Sequence, residues 1–330
     1  MTTQTSHPRS FGRGFAFALT AALMLSITTI LVRYTTETYK IPALVLAFWR
    51  DVFMALTLAI ILSIASPKLL RVDRRFLFYL AAYGLVFALF NAFWIESVVL
   101  NGAAIATVLS QSSAAFTVIL GRWLLKEPLN WAKILAVVLS LGGCVLVAGL
   151  LDPAQWATNT LGILIGITAG LAYAGYTMMG RSAALQGLNP WTTILYIFSF
   201  AAFFLFIINA LPGEVIPGGA VRFMDLFWMG RSWAGWGILF LLSAGPTLAG
   251  FGLLNVSLGY LPSSIANLVM TSEPVMTAFT AYIILKEQMS VIQVIGSLVI
   301  LSGVLLLRVS ERLMAEHTAR SGETGKSVQI

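Results

Sequence analysis

The sequence predicts an all-α polytopic membrane protein with ten transmembrane helices arranged as a 5+5 inverted repeat. Three observations predict it. Apolar segments succeed one another from Gly14 to Arg308 with few charges inside them. The second half repeats the first: a shift of 160 positions places Ile105, Ala106, Ser112, Thr117, Leu125, Lys126 and Glu127 on Ile265, Ala266, Ser272, Thr277, Leu285, Lys286 and Glu287. Basic residues gather at alternate junctions between the apolar segments, as they do when a chain crosses a bilayer repeatedly.

Composition closes off other classes. Hydrophobic residues make up 58% of the chain, charged residues only 10%, and mean hydropathy is +0.89, too little charge to cover a soluble surface. The net charge of +7 would suit a nucleic-acid partner, but the basic residues lie in loops between apolar segments, so no nucleic acid is expected. Cys144 is the single cysteine and sits in an apolar segment, which excludes a disulfide within the chain. His7 and His317 both fall in polar tails, so neither a histidine-based metal site nor a catalytic histidine is expected in the bundle, and no cofactor is implied. Arg9 and Arg13 ahead of an apolar run resemble a signal peptide. The run 14–32 is long for a cleavable segment and no clear small-residue cleavage site follows it, so it reads as a retained first span.

A hydrocarbon core of about 30 Å needs about 20 apolar helical residues. Such windows fall at 14–32, 43–65, 76–97, 103–124, 131–150, 161–180, 191–211, 235–256, 262–285 and 290–308. Pro42 and Pro190, matched in the repeat, stand just ahead of the second and seventh windows, where a helix start tolerates proline. The loop 212–234 carries Met224, Leu226, Phe227, Trp228 and Met229, an apolar patch fit for the outer interface. The chain therefore divides into an N-terminal tail, 1–13, a first five-helix unit, 14–150, a second, 161–308, and a polar C-terminal tail, 309–330. That tail reads as a helical extension followed by disorder.

Of the twenty Lys and Arg residues, fourteen fall on the side that holds both termini, five on the other, and Arg50 lies within a span. Both termini are expected in the cytoplasm. Five spans is an odd number, so the second copy enters the membrane from the opposite face. Matched segments then lie antiparallel, an arrangement that supplies two equivalent gates.

The early spans share a stripe of small residues. Gly162, Gly166, Gly170 and Ala174 recur every four residues, and a shift of 148 aligns them with Gly14, Ala18, Ala22 and Ser26. Such a face permits close helix packing, and it could equally serve as a sliding surface for gating or a homodimer contact. Buried ionisable groups point more directly to function. Arg50 and Asp51 lie about 10 Å into the second span at 1.5 Å per residue, where an Arg costs about 2.5–3.5 kcal/mol unless it meets a partner or water. Their repeat counterparts are Phe198 and Ser199, so the charge belongs to one half only. A pathway role and a structural pairing with Glu96 or a helix end are both open; neighbouring helical residues point about 100° apart, so mutual neutralisation is not expected.

Glu273 falls near mid-membrane and Pro274 follows it. The proline cannot donate to the Met270 carbonyl and should kink the helix, freeing backbone oxygen for a solute or cation. The carboxyl itself is placed for substrate or proton contact, or for a hydrogen bond to a neighbouring helix. Glu96, near an outer helix end, reads as an interfacial charge or a pathway group; Asn91, and Gln111 beside Ser110, Ser112 and Ser113, as cavity lining or helix-to-helix bonds. Tyr173 and Tyr176 divide between packing and substrate contact. Two lookalike motifs fail: the tail Gly322–Ser327 lacks the first glycine and the preceding strand of a phosphate loop, and the sequon at Asn255 lies within or at the end of a span.

The chain resembles the EamA branch of the drug/metabolite transporter superfamily over both halves, roughly 14–147 and 161–307. The resemblance rests on the duplicated ten-span plan and on paired signatures. These are Ala104–Leu129, ending Leu124-Leu125-Lys126-Glu127-Pro128-Leu129, and Ser264–Met289, with Ser272-Glu273-Pro274-Val275 and Leu285-Lys286-Glu287. Family members often carry Gly-Glu where this chain has Lys126-Glu127 and Lys286-Glu287. The resemblance implies a secondary, non-ATP carrier of a small organic solute such as an amino acid, metabolite or drug, with or without a coupled proton or ion, monomeric or homodimeric in the lipid bilayer. The rival classes are a non-transporting structural or sensor protein and a membrane-embedded enzyme, for which no nucleophile–base set or metal-ligand set is seen.

Overall fold

Long runs of Leu, Ile, Ala and Phe without interior polar breaks form helices, because in hydrocarbon the backbone must satisfy its own hydrogen bonds. The computed structural model describes residues 8–101, 106, 109–147, 160–211, 218–285 and 290–326, and it contains helices and no strand among them. In chain order the helices are α1 (Pro8–Tyr39), α2 (Ala43–Ala65), α3 (Leu77–Asn101), α4 (Ser113–Leu124), α5 (Trp131–Val147), α6 (Thr160–Leu185) and α7 (Pro190–Ala210). They continue with α8 (Trp233–Leu242), α9 (Leu248–Tyr260), α10 (Ser263–Met270), α11 (Glu273–Leu285) and α12 (Val291–Lys326). Seven described stretches are long and apolar enough to cross a membrane: Phe11–Tyr39, Ala43–Ala65, Arg74–Ser97, Leu161–Leu185, Pro190–Ala210, Trp233–Tyr260 and Val291–Ser310. The outward surface is apolar, with Ile64, Phe78, Trp123 and Leu298 exposed, as a lipid-facing belt requires. The protein is an integral, multi-pass membrane protein.

Three expected spans depart from simple rods. The window 103–124 turns at Gln111-Ser112 before α4 begins, and parts of its first half lie outside the described residues, as does the matched pair Lys286-Glu287. The window 262–285 is cut at the repeat-matched positions Thr271-Ser272 into α10 and α11. The eighth span bends between α8 and α9, where Gly245 leaves helical geometry (φ −92°, ψ −106°) ahead of Pro246. Pro246 has no N–H for the Leu242 carbonyl, and the Thr247 hydroxyl donates to that carbonyl instead, at 2.6 Å. The polar C-terminal tail continues as helix to Lys326. In the loop after α7 the expected apolar patch divides: Leu226 and Met229 turn inward beside Val45 and Leu46, while Met224, Phe227 and Trp228 stay exposed.

Helix α2 pairs with α7, α3 with α6, α1 with α9, and α5 with α12. The shift that aligns the two copies carries the α3–α6 pair onto α9–α1, and the α4–α6 pair onto α11–α1. The small-residue stripe is used inside the chain. Ala18 and Ala22 are fully buried, a Cβ on Gly14 would strike Tyr260 and Leu261, and one on Gly166 would strike Ser97 and Leu109. This face is therefore closed to a homodimer contact.

The α5–α12 crossing has the same two-fold character. A Cβ on Gly143 would lie 2.7 Å from the Gly296 carbonyl oxygen, and one on Gly303 would lie 3.1 Å from that of Ala136. The repeat relates Gly143 to Gly303 and Ala136 to Gly296. Overfilling such a contact costs about 1–3 kcal/mol. Gly143→Ala is expected to lower the thermal unfolding midpoint of detergent-solubilised protein. Gly142→Ala, whose added Cβ meets nothing within 4 Å, is expected to leave it unchanged.

Candidate functional site

The two broken spans meet where the copies meet. At each break the backbone tightens to i→i+3 bonds, and at the second the nearby hydroxyls donate to the same carbonyls. Thr271 donates to the Leu268 carbonyl at 2.6 Å and Ser272 to that of Val269 at 2.7 Å. At the other break Gly170 of α6 lets the Leu109 and Ser110 carbonyls lie against its backbone; a Cβ there would sit 3.1 Å from both oxygens. Gln111, in that turn, is buried. Between the breaks Asn267 of α10 donates to the Thr117 hydroxyl of α4 at 2.6 Å, and Ser113 donates to the Asn267 side-chain oxygen at 3.4 Å.

One acid ties these pieces together. Lys126 adopts a left-handed backbone (φ 56°), which reverses the chain after α4 and lets the Glu127 N–H reach the Gly121 carbonyl at 3.0 Å. Glu127 then points its carboxylate at the first turn of α10. One oxygen accepts from the Ser263 N–H and hydroxyl, both at 2.7 Å, and the other from the Ser264 N–H at 3.2 Å and the Ser264 hydroxyl. An open helix N-terminus carries unsatisfied N–H groups and partial positive charge, so a carboxylate suits it. Sequence reasoning registered Glu127 only as a mark of the repeat. The missed signal was an acid in one copy facing a Ser-Ser helix start in the other.

The expected Arg50–Asp51 site assembles differently from the expectation. Arg50 and Asp51 do pair, Nε to carboxylate at 3.5 Å, because the long Arg side chain folds back along its own helix. Its guanidinium also donates to the Asn91 side-chain oxygen of α3 at 2.8 Å. All three residues are buried, Asp51 completely, and neither carboxylate oxygen of Asp51 nor the Asn91 amide nitrogen has a hydrogen-bond partner. Glu96 is only 7% exposed, so it is not the projecting interfacial charge that its position suggested.

Glu273 opens α11 and is partly buried. Thr29 of α1 donates to it at 3.5 Å. Two further contacts zip α1 to the second copy: the Thr247 and Thr28 hydroxyls lie 3.2 Å apart, and Ser26 lies 3.4 Å from Thr280. The Tyr173 ring of α6 packs on Phe90, the neighbour of Asn91, with centroids 4.9 Å apart. Tyr176 stacks on Tyr173 with centroids 5.8 Å apart and carries the cluster onward: Asn255 donates to its hydroxyl at 2.6 Å, and its ring contacts Phe87 and Phe251. Phe198, the counterpart of Arg50, packs on Phe87 in that cluster. The structure thus gathers Arg50, Asp51 and Asn91 around one guanidinium, stacks Tyr173 on Tyr176, and joins Glu273 to Thr29 of α1.

A duplicated helical bundle with interrupted spans and buried charge between its copies is the architecture of a membrane carrier. The model of the EamA-like transporter family matches twice, over residues 12–149 and 160–309, and the chain belongs to that family. An uncharacterized transporter of Bacillus subtilis (strain 168), YwfM, is 25% identical over 216 residues, covering 64% of this chain and 67% of that protein. An uncharacterized inner membrane transporter of Escherichia coli (strain K12), YhbE, is 27% identical over 146 residues, covering 44% of this chain and 42% of that protein. A solved crystal structure superposes with a TM-score of 0.73 at 15% identity, covering 91% of this chain and 98% of the other, which is a likeness of fold.

Two substitutions test the Glu127 contact. Removing a charged acceptor from buried donors costs about 1.5–3 kcal/mol, so Glu127→Ala is expected to lower stability to chemical unfolding by that amount and Glu127→Gln by less. A left-handed backbone costs a side-chain-bearing residue about 1–2 kcal/mol, so Lys126→Gly is expected to raise the unfolding midpoint.

Proposed function

We propose that this protein is a secondary, non-ATP carrier of a small organic solute, working by alternating access between two five-helix units, 14–150 and 161–308. The reading rests chiefly on the buried polar set of Arg50, Asp51 and Asn91 in the first copy, with Glu273 at the start of α11 in the second. Ionisable groups inside a bilayer are costly and are kept where they serve a solute or ion. Three of these groups, Arg50, Asp51 and Asn91, hold polar atoms without hydrogen-bond partners, ready for a ligand that brings both donor and acceptor.

The exchange of helix pairs under the sequence repeat supports ten spans in a 5+5 inverted arrangement. With an odd number of spans per copy, a two-fold relation places the copies in opposite senses, and rocking one against the other opens the centre to each side in turn. The excess of Lys and Arg on one side supports cytoplasmic termini in a bacterial inner membrane. Arg50 reads a carboxylate or phosphate, and Glu273 an amine or a proton. The names of YwfM and YhbE support transport and say nothing of cargo.

The solute is to be found by comparing metabolites inside and outside cells with and without the protein, then measured in proteoliposomes. Arg50→Ala and Glu273→Gln are each expected to abolish uptake while the purified protein keeps its helical content and elution position. Full uptake by both variants would overturn the assignment, and failure to move any solute in the screen would favour a structural or sensor role.

A further inference from the structure

A second site lies away from the seam, on the lipid-facing side. Between α2, α7 and the bend that joins α8 to α9 runs a crevice of about 420 Å³, walled by Leu58, Leu62, Leu69, Trp191, Gly245 and Leu248. Its walls are apolar except at Ser66, and Ile61 on its rim is 47% exposed, so the crevice opens to the surrounding lipid. The bend itself creates the space, because the departure at Gly245 swings α8 away from the line of α9.

Directly above the crevice runs the loop 66–76. Two side chains of α7 hold it in place: the Thr192 hydroxyl donates to the Leu69 carbonyl at 2.8 Å, and the Tyr196 hydroxyl to that of Leu70 at 3.0 Å. Ser66 and Leu69 of this tethered loop line the crevice, and Lys68, Arg71, Arg74 and Arg75 of the same loop are exposed. Arg75 is engaged by Asp73 at 2.9 Å and lies over the Phe76 ring. Lys68, Arg71 and Arg74 make no ion pair among the described residues.

The geometry points to a binding site for one anionic phospholipid of the adjoining leaflet, its phosphate headgroup on Lys68, Arg71 and Arg74 and an acyl chain in the crevice below. Charge selects the occupant. A zwitterionic lipid offers the same chain but brings its own cation to a mouth already rich in them, whereas an anionic headgroup meets three uncompensated cations at the depth where headgroups lie. The chain end of the site touches Gly245, two residues from Thr247, whose hydroxyl holds α1 at Thr28. Lipid in the crevice therefore braces the bent span against the first copy.

The test needs no transport and so stands apart from the carrier reading. Purified protein in detergent is titrated with phosphatidylglycerol, with phosphatidylcholine of the same chains, and with inorganic phosphate. The thermal midpoint is followed, and retained lipid is counted by native mass spectrometry. Phosphatidylglycerol is expected to raise the midpoint beyond phosphatidylcholine and to remain bound, while phosphate alone gives no shift. The combined change Lys68→Gln, Arg71→Gln, Arg74→Gln is expected to erase the difference between the two lipids. Ala249→Phe, which fills the crevice and leaves the loop charges in place, is expected to lose the retained phosphatidylglycerol. Equal responses to the two lipids, a full response to phosphate, or retention unchanged in Ala249→Phe would each overturn the site. Should the loop variant fail to fold, the lipid comparison on the unaltered protein and Ala249→Phe still decide it.

Discussion

The carboxylate of Glu127, buried against the first turn of α10, is the contact on which the meeting of the two copies depends. A buried anion without donors is severely destabilising, and a helix start without acceptors leaves N–H groups stranded. Each cures the other here, across 136 residues of chain, through four hydrogen bonds. With α4 and α10 joined at that point, Asn267 falls opposite Thr117 and Ser113, and the two broken spans lie side by side rather than against lipid.

That placement satisfies the stricter rule of the bilayer, which tolerates irregular backbone only where protein or water can meet its polar groups. Serine and threonine do most of this here. Thr247 replaces the N–H that Pro246 lacks, and Thr271 and Ser272 close the end of α10. Hydroxyl-to-carbonyl bonds of this kind let a bent helix keep its carbonyls satisfied inside the bundle. The straight α5–α12 pair, locked at Gly143 and Gly296, contrasts with them.

The charged groups obey a similar economy. Arg50 is held by Asp51 and Asn91, so the guanidinium enters the bundle already partly compensated. The second copy places Phe198 at the equivalent position and fills the space with aromatic packing instead. Two copies of one fold have thus diverged at this position, one holding a buried polar group and the other an aromatic cluster.

Much of this was legible beforehand. Membrane spans follow from hydropathy, which is summed over neighbours in the chain, and the two copies follow from residue identities such as Lys126-Glu127 and Lys286-Glu287. The depth of Arg50, Asp51 and Glu273 follows from counting residues along a helix. Partners could not be read in the same way. The Arg50–Asp51 contact depends on a rotamer, the burial of Glu96 on which helices surround it, and the role of Glu127 on a serine pair far along the chain. Local physics sets each helix and its charge, because a helix satisfies its own backbone. Which polar groups share the interior is a matter of long-range geometry, and only the folded bundle decides it.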